Sequence, residues 1–123
     1  VVRTLTAVLA LTLGATAHAA SSGDAAHGAT IFQRCAMCHN ANQGGGNGLG
    51  PNLFGVAGRK AASLPDFHYS DALKKSDIVW TDDKLEKWVQ SPQKLVPGTR
   101  MVFAGLKQQQ DVDDLIAYLH SRK

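Results

Sequence analysis

The only cysteines in the chain stand in Cys35-Ala36-Met37-Cys38-His39, and several chemistries compete for this pentapeptide. A disulfide would close so short a loop that it stabilises little. A thioredoxin-like dithiol needs alternating strands and helices around the motif, and no such alternation is present. A structural zinc needs four ligands, yet no second Cys or His pair stands at suitable spacing. Haem attachment fits best. Two thiols about one helical turn apart can form thioethers with two vinyl groups on one porphyrin edge, and the next side chain, His39, turns beneath the ring to bind iron.

The rest of the chain must position that site. Its first twenty residues, VVRTLTAVLALTLGATAHAA, combine Arg3, an apolar stretch from about Leu5 to Ala17 and the small-residue pattern Ala17-His18-Ala19. They read as a secretory signal peptide. The apolar run falls short of the ~20 residues of a membrane span, and Thr4, Thr6, Thr12 and Thr16 dilute it. Cleavage is expected near Ala19 or Ala20, leaving residues 21–123 as one domain in the periplasm. A domain of that size has a marginal core. A covalent porphyrin supplies what is lacking, because roughly several hundred Å² of apolar face is buried at about 25 cal/mol per Å².

Thirteen basic against ten acidic residues give only a mildly basic chain, and Arg3 departs with the leader. The charges are scattered, which excludes a nucleic-acid binder. The segment from Asp24 to about Cys38 reads as a helix capped by Asp24, with Gly28, Ile31, Phe32 and Cys35 on one face. Val112, Leu115, Ile116 and Leu119 mark a C-terminal helix, with Asp111, Asp113 and Asp114 in its first turn. Gly28 is costly inside a helix unless something packs closely there, so the two helices are expected to cross with Gly28 near Leu115 and Tyr118. Ser70 to Lys75 reads as a short helix and Thr81 to Ser91 as a longer one that stops at Pro92. Between Asn40 and Leu64 lies an irregular stretch that holds most of the glycines. So long a loop in a compact domain needs an object to wrap around, and no strand pattern competes with this all-α reading.

Together with the haem motif, several segments occur in order: Gly23-Asp24, Gly50-Pro51-Asn52-Leu53, Gly58-Arg59-Lys60, Trp80, Pro97-Gly98-Thr99-Arg100-Met101 and Asp114-Leu115-Ile116-Ala117-Tyr118-Leu119. The chain resembles a class I cytochrome c of the mitochondrial and soluble bacterial type. The resemblance implies one covalent haem c through Cys35 and Cys38, iron held by His39 and Met101, and the Pro51 carbonyl accepting the Nδ1 hydrogen of His39. It also implies that Arg59, Tyr69, Trp80 and Thr99 contact the haem propionates, and that Phe103 screens the haem edge. His/Met ligation raises the reduction potential.

With both axial positions filled, no coordination site is open to substrate. The expectation is therefore a non-enzymatic, monomeric electron carrier. It would shuttle between a quinol-oxidising cytochrome bc-type complex and a terminal oxidase, peroxidase or photosynthetic reaction centre. The alternatives are a weak peroxidase if Met101 detaches, or a haem sensor in which Lys94 or His68 replaces Met101. The family's lysine ring for partner docking is thinner here: Arg34, Lys94, Arg100 and Lys107 are retained, whereas Gln93 and Gln108 replace lysines. Trp88 and Leu73 stand where the mitochondrial pattern has tyrosine and asparagine, which removes hydrogen-bonding capacity and implies a drier haem pocket.

Overall fold

The computed structural model describes residues 23–123; the expected leader lies outside them. Helix α1 spans Ala25–Phe32, α2 Asp71–Lys75, α3 Asp82–Gln90, α4 Pro92–Leu95 and α5 Gln109–Ser121. Among the described residues the sole strand-like feature is an isolated antiparallel bridge between Lys60 and Val79. No described helix is long and apolar enough to cross a membrane.

Local chemistry sets the helix starts. Asp24 accepts from the amides of Ala26 and His27, Ser70 from Leu73, and Thr81 from Lys84, which satisfies donors that the first turn leaves unpaired. The structure corrects three expectations. Helix α1 ends at Phe32 rather than near Cys38, because the amides of Gln33 and Arg34 bond three residues back, to Thr30 and Ile31. That tightening carries residues 33–38 through successive turns. A further short helix, α4, follows Pro92, whose fixed φ suits a first helical position. Finally, α5 begins at Gln109, so Asp113 and Asp114 fall in its second turn rather than its first.

Helices α1 and α5 cross as expected. A Cβ on Gly28 would overlap the backbone carbonyl of Asp114 and lie 2.7 Å from Tyr118 Cβ, so glycine lets the two backbones approach. Phe32 packs on Tyr118 with ring centroids 5.1 Å apart. Asp114 is 2% exposed and locks the crossing. Its Oδ1 accepts from the Asp24 amide at 2.6 Å and from Gln110 Nε2 at 2.8 Å, while its Oδ2 accepts from His27 Nδ1 at 2.6 Å. At the other end of α5, His120 Nε2 meets Asp82 Oδ1 of α3 at 2.6 Å. Leu85, Val89, Val112, Leu115 and Leu119 build the core between these helices.

Residues 39–70 contain no helix and are held by side chains. Asn52 donates from Nδ2 to the carbonyls of Asn42 and Gly45, and its own amide donates to Asn47 Oδ1. Arg122 at the end of α5 donates to the Ala41 carbonyl and to Asn42 Oδ1. The stretch therefore folds around a defined interior despite lacking regular structure.

Candidate haem pocket

That interior is a cavity of about 460 Å³, within the size range of small-molecule and cofactor sites. It gathers Cys35, Cys38, His39, Pro51, Arg59, Tyr69, Trp80, Thr99 and Met101, so every residue singled out for the site lines one space. The rest of the wall is largely apolar, with Phe32, Leu53, Val56, Leu73, Leu85, Trp88, Val89, Leu115 and Leu119 among its members.

The local turns aim the motif. The amides of Cys38 and His39 both bond back to the Cys35 carbonyl, which brings the histidine in behind the two thiols. His39 Nδ1 donates to the Pro51 carbonyl at 2.8 Å. A carbonyl only accepts, so the proton sits on Nδ1 and the Nε2 lone pair is left for a metal. Burial draws the imidazole below its ordinary range, against the opposing effect of the Pro51 bond, and this keeps it in the neutral, ligating form. A Cβ on Gly50 would lie 2.6 Å from His39 Nδ1 and 2.8 Å from Nε2; glycine is required for the ring to sit there. Burial also pushes the Cys35 thiol up, whereas Cys38 is exposed.

On the Met101 side, Gly98 adopts a positive φ of 91° in a turn closed by the Thr99 amide and the Val96 carbonyl at 3.1 Å. Thr99 is buried and its Oγ1 accepts from the Met101 amide at 3.4 Å. Arg59 donates through Nη1 to the Phe54 carbonyl at 3.0 Å and through Nη2 to the Asn52 carbonyl at 3.1 Å. Those bonds use two of the five guanidinium donors, and burial draws the group below its ordinary range. Tyr69 Oη accepts from the Leu64 amide at 3.3 Å. Trp80 and Trp88 stack at a tilt, 5.1 Å between centroids, and Leu73 is buried in the same wall.

Of the four expected docking cations, Arg34 and Arg100 reach the cavity lining. The Arg34 guanidinium lies 5.5 Å from the centroid of Phe103. Lys94 and Lys107 are exposed outside the lining. Met37, Leu49 and Val102 are also exposed, at 88%, 85% and 98%. Sequence reasoning missed the structural parts played by Asn52, Asn47 and the His27–Asp114 pair. Asn52 stood within a recognised segment, but nothing local marked its partners.

The donors available fit haem iron better than a bare ion. No cluster of three or more His, Cys, Asp or Glu side chains able to hold a metal occurs among the described residues. The cavity instead offers one imidazole, one thioether, two thiols and a broad apolar wall.

A helical domain that crosses its terminal helices and lines an apolar cavity with C-x-x-C-H defines a haem-binding fold. Residues 25–123 match the family model for cytochrome c. The cytochrome c of Theileria annulata is 55% identical over 98 residues, covering 79% of this chain and 84% of that protein. Cytochrome c2 of Blastochloris viridis is 42% identical over 107 residues, covering 87% and 84%. The solved structure of cytochrome cH from Methylobacterium extorquens superposes with a TM-score of 0.76 at 47% identity, covering 80% of this chain and 99% of that one. The chain belongs to the cytochrome c family, a family of electron carriers with haem c bound covalently through cysteine. Cys35 and Cys38 are the cysteines that carry it here.

Proposed function

We propose that the protein is a one-electron shuttle whose iron is held by His39 and Met101. The observation that carries this reading is the convergence of both side chains on one apolar cavity edged by Cys35 and Cys38. The haem supplies a reversible one-electron change between ferric and ferrous iron. The chain's own residues do the rest. Pro51 fixes the tautomer of His39 and raises its basicity. The thioether of Met101 favours the ferrous state, and the apolar wall disfavours the extra positive charge of the ferric state. Arg59, Tyr69, Trp80 and Thr99 hold the propionate side, where buried carboxylates need hydrogen bonds and countercharge.

In this reading residues 1–20 direct export to the periplasm, and the mature chain carries electrons from a quinol-oxidising cytochrome complex to an oxidase, peroxidase or photosynthetic reaction centre. Arg34, Lys94, Arg100 and Lys107 steer acidic partners toward the haem edge. Two ligands held in both redox states leave no place for substrate, so electron transfer rather than catalysis is the expected activity.

The test is an optical redox titration of the haem-loaded protein with carbon monoxide added to the reduced form. A single one-electron wave, with no carbon monoxide adduct in the wild type and a ready adduct in Met101→Ala, is the expected result. An adduct in the wild type would overturn the assignment of Met101.

A further inference from the structure

We propose that Gln93 is a positioning residue for Met101, latching shut the loop that carries it; this rests on reading Met101 as an iron ligand. Among the described residues, 100–105 take part in no backbone-to-backbone hydrogen bond. The segment that presents the thioether is therefore held by side chains. On one flank the Gln93 amide, reaching from α4, straddles the turn before Met101. Its Nε2 donates to the Thr99 carbonyl at 2.7 Å and its Oε1 accepts from the Gly98 amide at 3.4 Å. On the other flank Arg100 Nη2 donates to the His68 carbonyl at 2.8 Å. The loop is thus tied to both α4 and the segment before α2.

The chemistry of the amide is specific to this task. Glutamine carries a donor and an acceptor on one planar group, and both polar atoms are used on adjacent residues of one turn. Lysine, expected at this position from the docking ring, could meet the Thr99 carbonyl but could accept nothing from Gly98. Exchanging that charge for an amide converts a docking position into a clasp. An external ligand reaches the iron only when the loop is open, so its apparent affinity scales with the open fraction. Removing the clasp raises that fraction by about 2- to 10-fold, the worth of one net hydrogen bond.

The experiment uses the ferric haem-loaded protein with imidazole as the probe, comparing wild type, Gln93→Ala, Gln93→Glu and Lys75→Ala. Gln93 is exposed, so its replacement leaves the fold intact, as far-UV circular dichroism and haem content will verify. Imidazole is expected to bind about 2- to 10-fold more tightly to both Gln93 variants. Glutamate belongs with alanine because its carboxylate faces the Thr99 carbonyl without a proton to donate. Lys75→Ala, at an exposed cation on α2 outside the site, should match wild type. The proposal is overturned if both Gln93 variants bind imidazole with wild-type affinity, or if Lys75→Ala shows an equal gain. The far-red ferric band of sulfur-ligated haem separates the two levels of argument. Its absence from the wild type would sink the Met101 assignment and this proposal with it, whereas its presence alongside unchanged imidazole affinity would sink the latch alone.

Discussion

Replacing Gly28 by alanine sets two rules of protein stability against each other. In an isolated helix the change is favourable by about 1 kcal/mol. In this protein the new methyl would overlap the Asp114 carbonyl oxygen and lie 2.6 Å from its carbon and 2.7 Å from Tyr118 Cβ. Two of these atoms are backbone and the third is fixed to it, so no rotamer change relieves the overlap. Helix α1 must move away from α5 by about 1.5 Å to restore ordinary contact near ~3.5 Å. That shift stretches the two 2.6 Å bonds to Asp114 and loosens the stack of Phe32 on Tyr118. Overpacking costs about 1–3 kcal/mol, and weakening a bond to a buried carboxylate adds about 1 kcal/mol. After subtracting the helix gain, a net loss of about 2 kcal/mol is expected. Urea unfolding of the haem-loaded protein should register it as a midpoint lower by about 1 M, and heating as a melting point lower by about 10 °C. Gly46, with open space around its Cβ direction, provides the control: Gly46→Ala should stay within about 0.5 kcal/mol of wild type. A Gly28→Ala protein as stable as wild type, or more so, would refute the close-approach argument.

The His27–Asp114 pair makes the crossing sensitive to pH. The hydrogen bond to Asp114 raises His27, so its contribution is complete below the unfolded imidazole value near ~6.5 and fades as pH rises through the higher folded value. The Asp24 amide, then His27, lowers Asp114, whose contribution is present above the unfolded carboxylate value near ~3.9 and fades as pH falls through the lower folded one. The clamp is strongest between about pH 4 and 6.5; melting curves should lose their fall toward pH 8 in His27→Gln and their acid-side fall in Asp114→Asn. Gly50→Ala should push the imidazole off the Pro51 carbonyl and cost at least about 1 kcal/mol; an unchanged reduction potential and stability would refute it. The electron-transfer rate to an acidic oxidase should fall as ionic strength rises, and a flat dependence would remove the docking role of Arg34, Lys94, Arg100 and Lys107. A high-resolution structure of the haem-loaded protein should contain no ordered water bonded between Trp88 and Met101, in keeping with the lost polar capacity at positions 73 and 88.

What could be read from the chain follows the range of the interactions involved. Caps at Asp24, Ser70 and Thr81 act over three residues, so residue type and position suffice to place those helix starts. Gly28 was legible because a glycine on the buried face of a helix demands a close neighbour, although the backbone it meets belongs to Asp114 rather than to Leu115. Asp114 itself was misplaced. Composition makes it one of several acids near a helix start, and only the crossing makes it the buried acceptor of Asp24, His27 and Gln110. The early end of α1 was hidden for a related reason: apolar spacing continues to Cys35, while the backbone has already tightened after Phe32. Gln93 read as a lost lysine because its partners are main-chain atoms of a turn, which carry no signature of their own.

Pairing the first helix with the last has a consequence for how the polypeptide comes into being. The Asp24 amide and the Asp114 carboxylate are separated by 90 positions along the chain, so their union closes nearly the whole described polypeptide into a ring. Contacts of such long sequence separation slow folding, because the entropy of closure must be met before they contribute. During synthesis α1 has no mate until the ribosome has completed α5. The nascent chain therefore lacks this contact until α5 is made, and the cysteine pair that follows α1 emerges well before it.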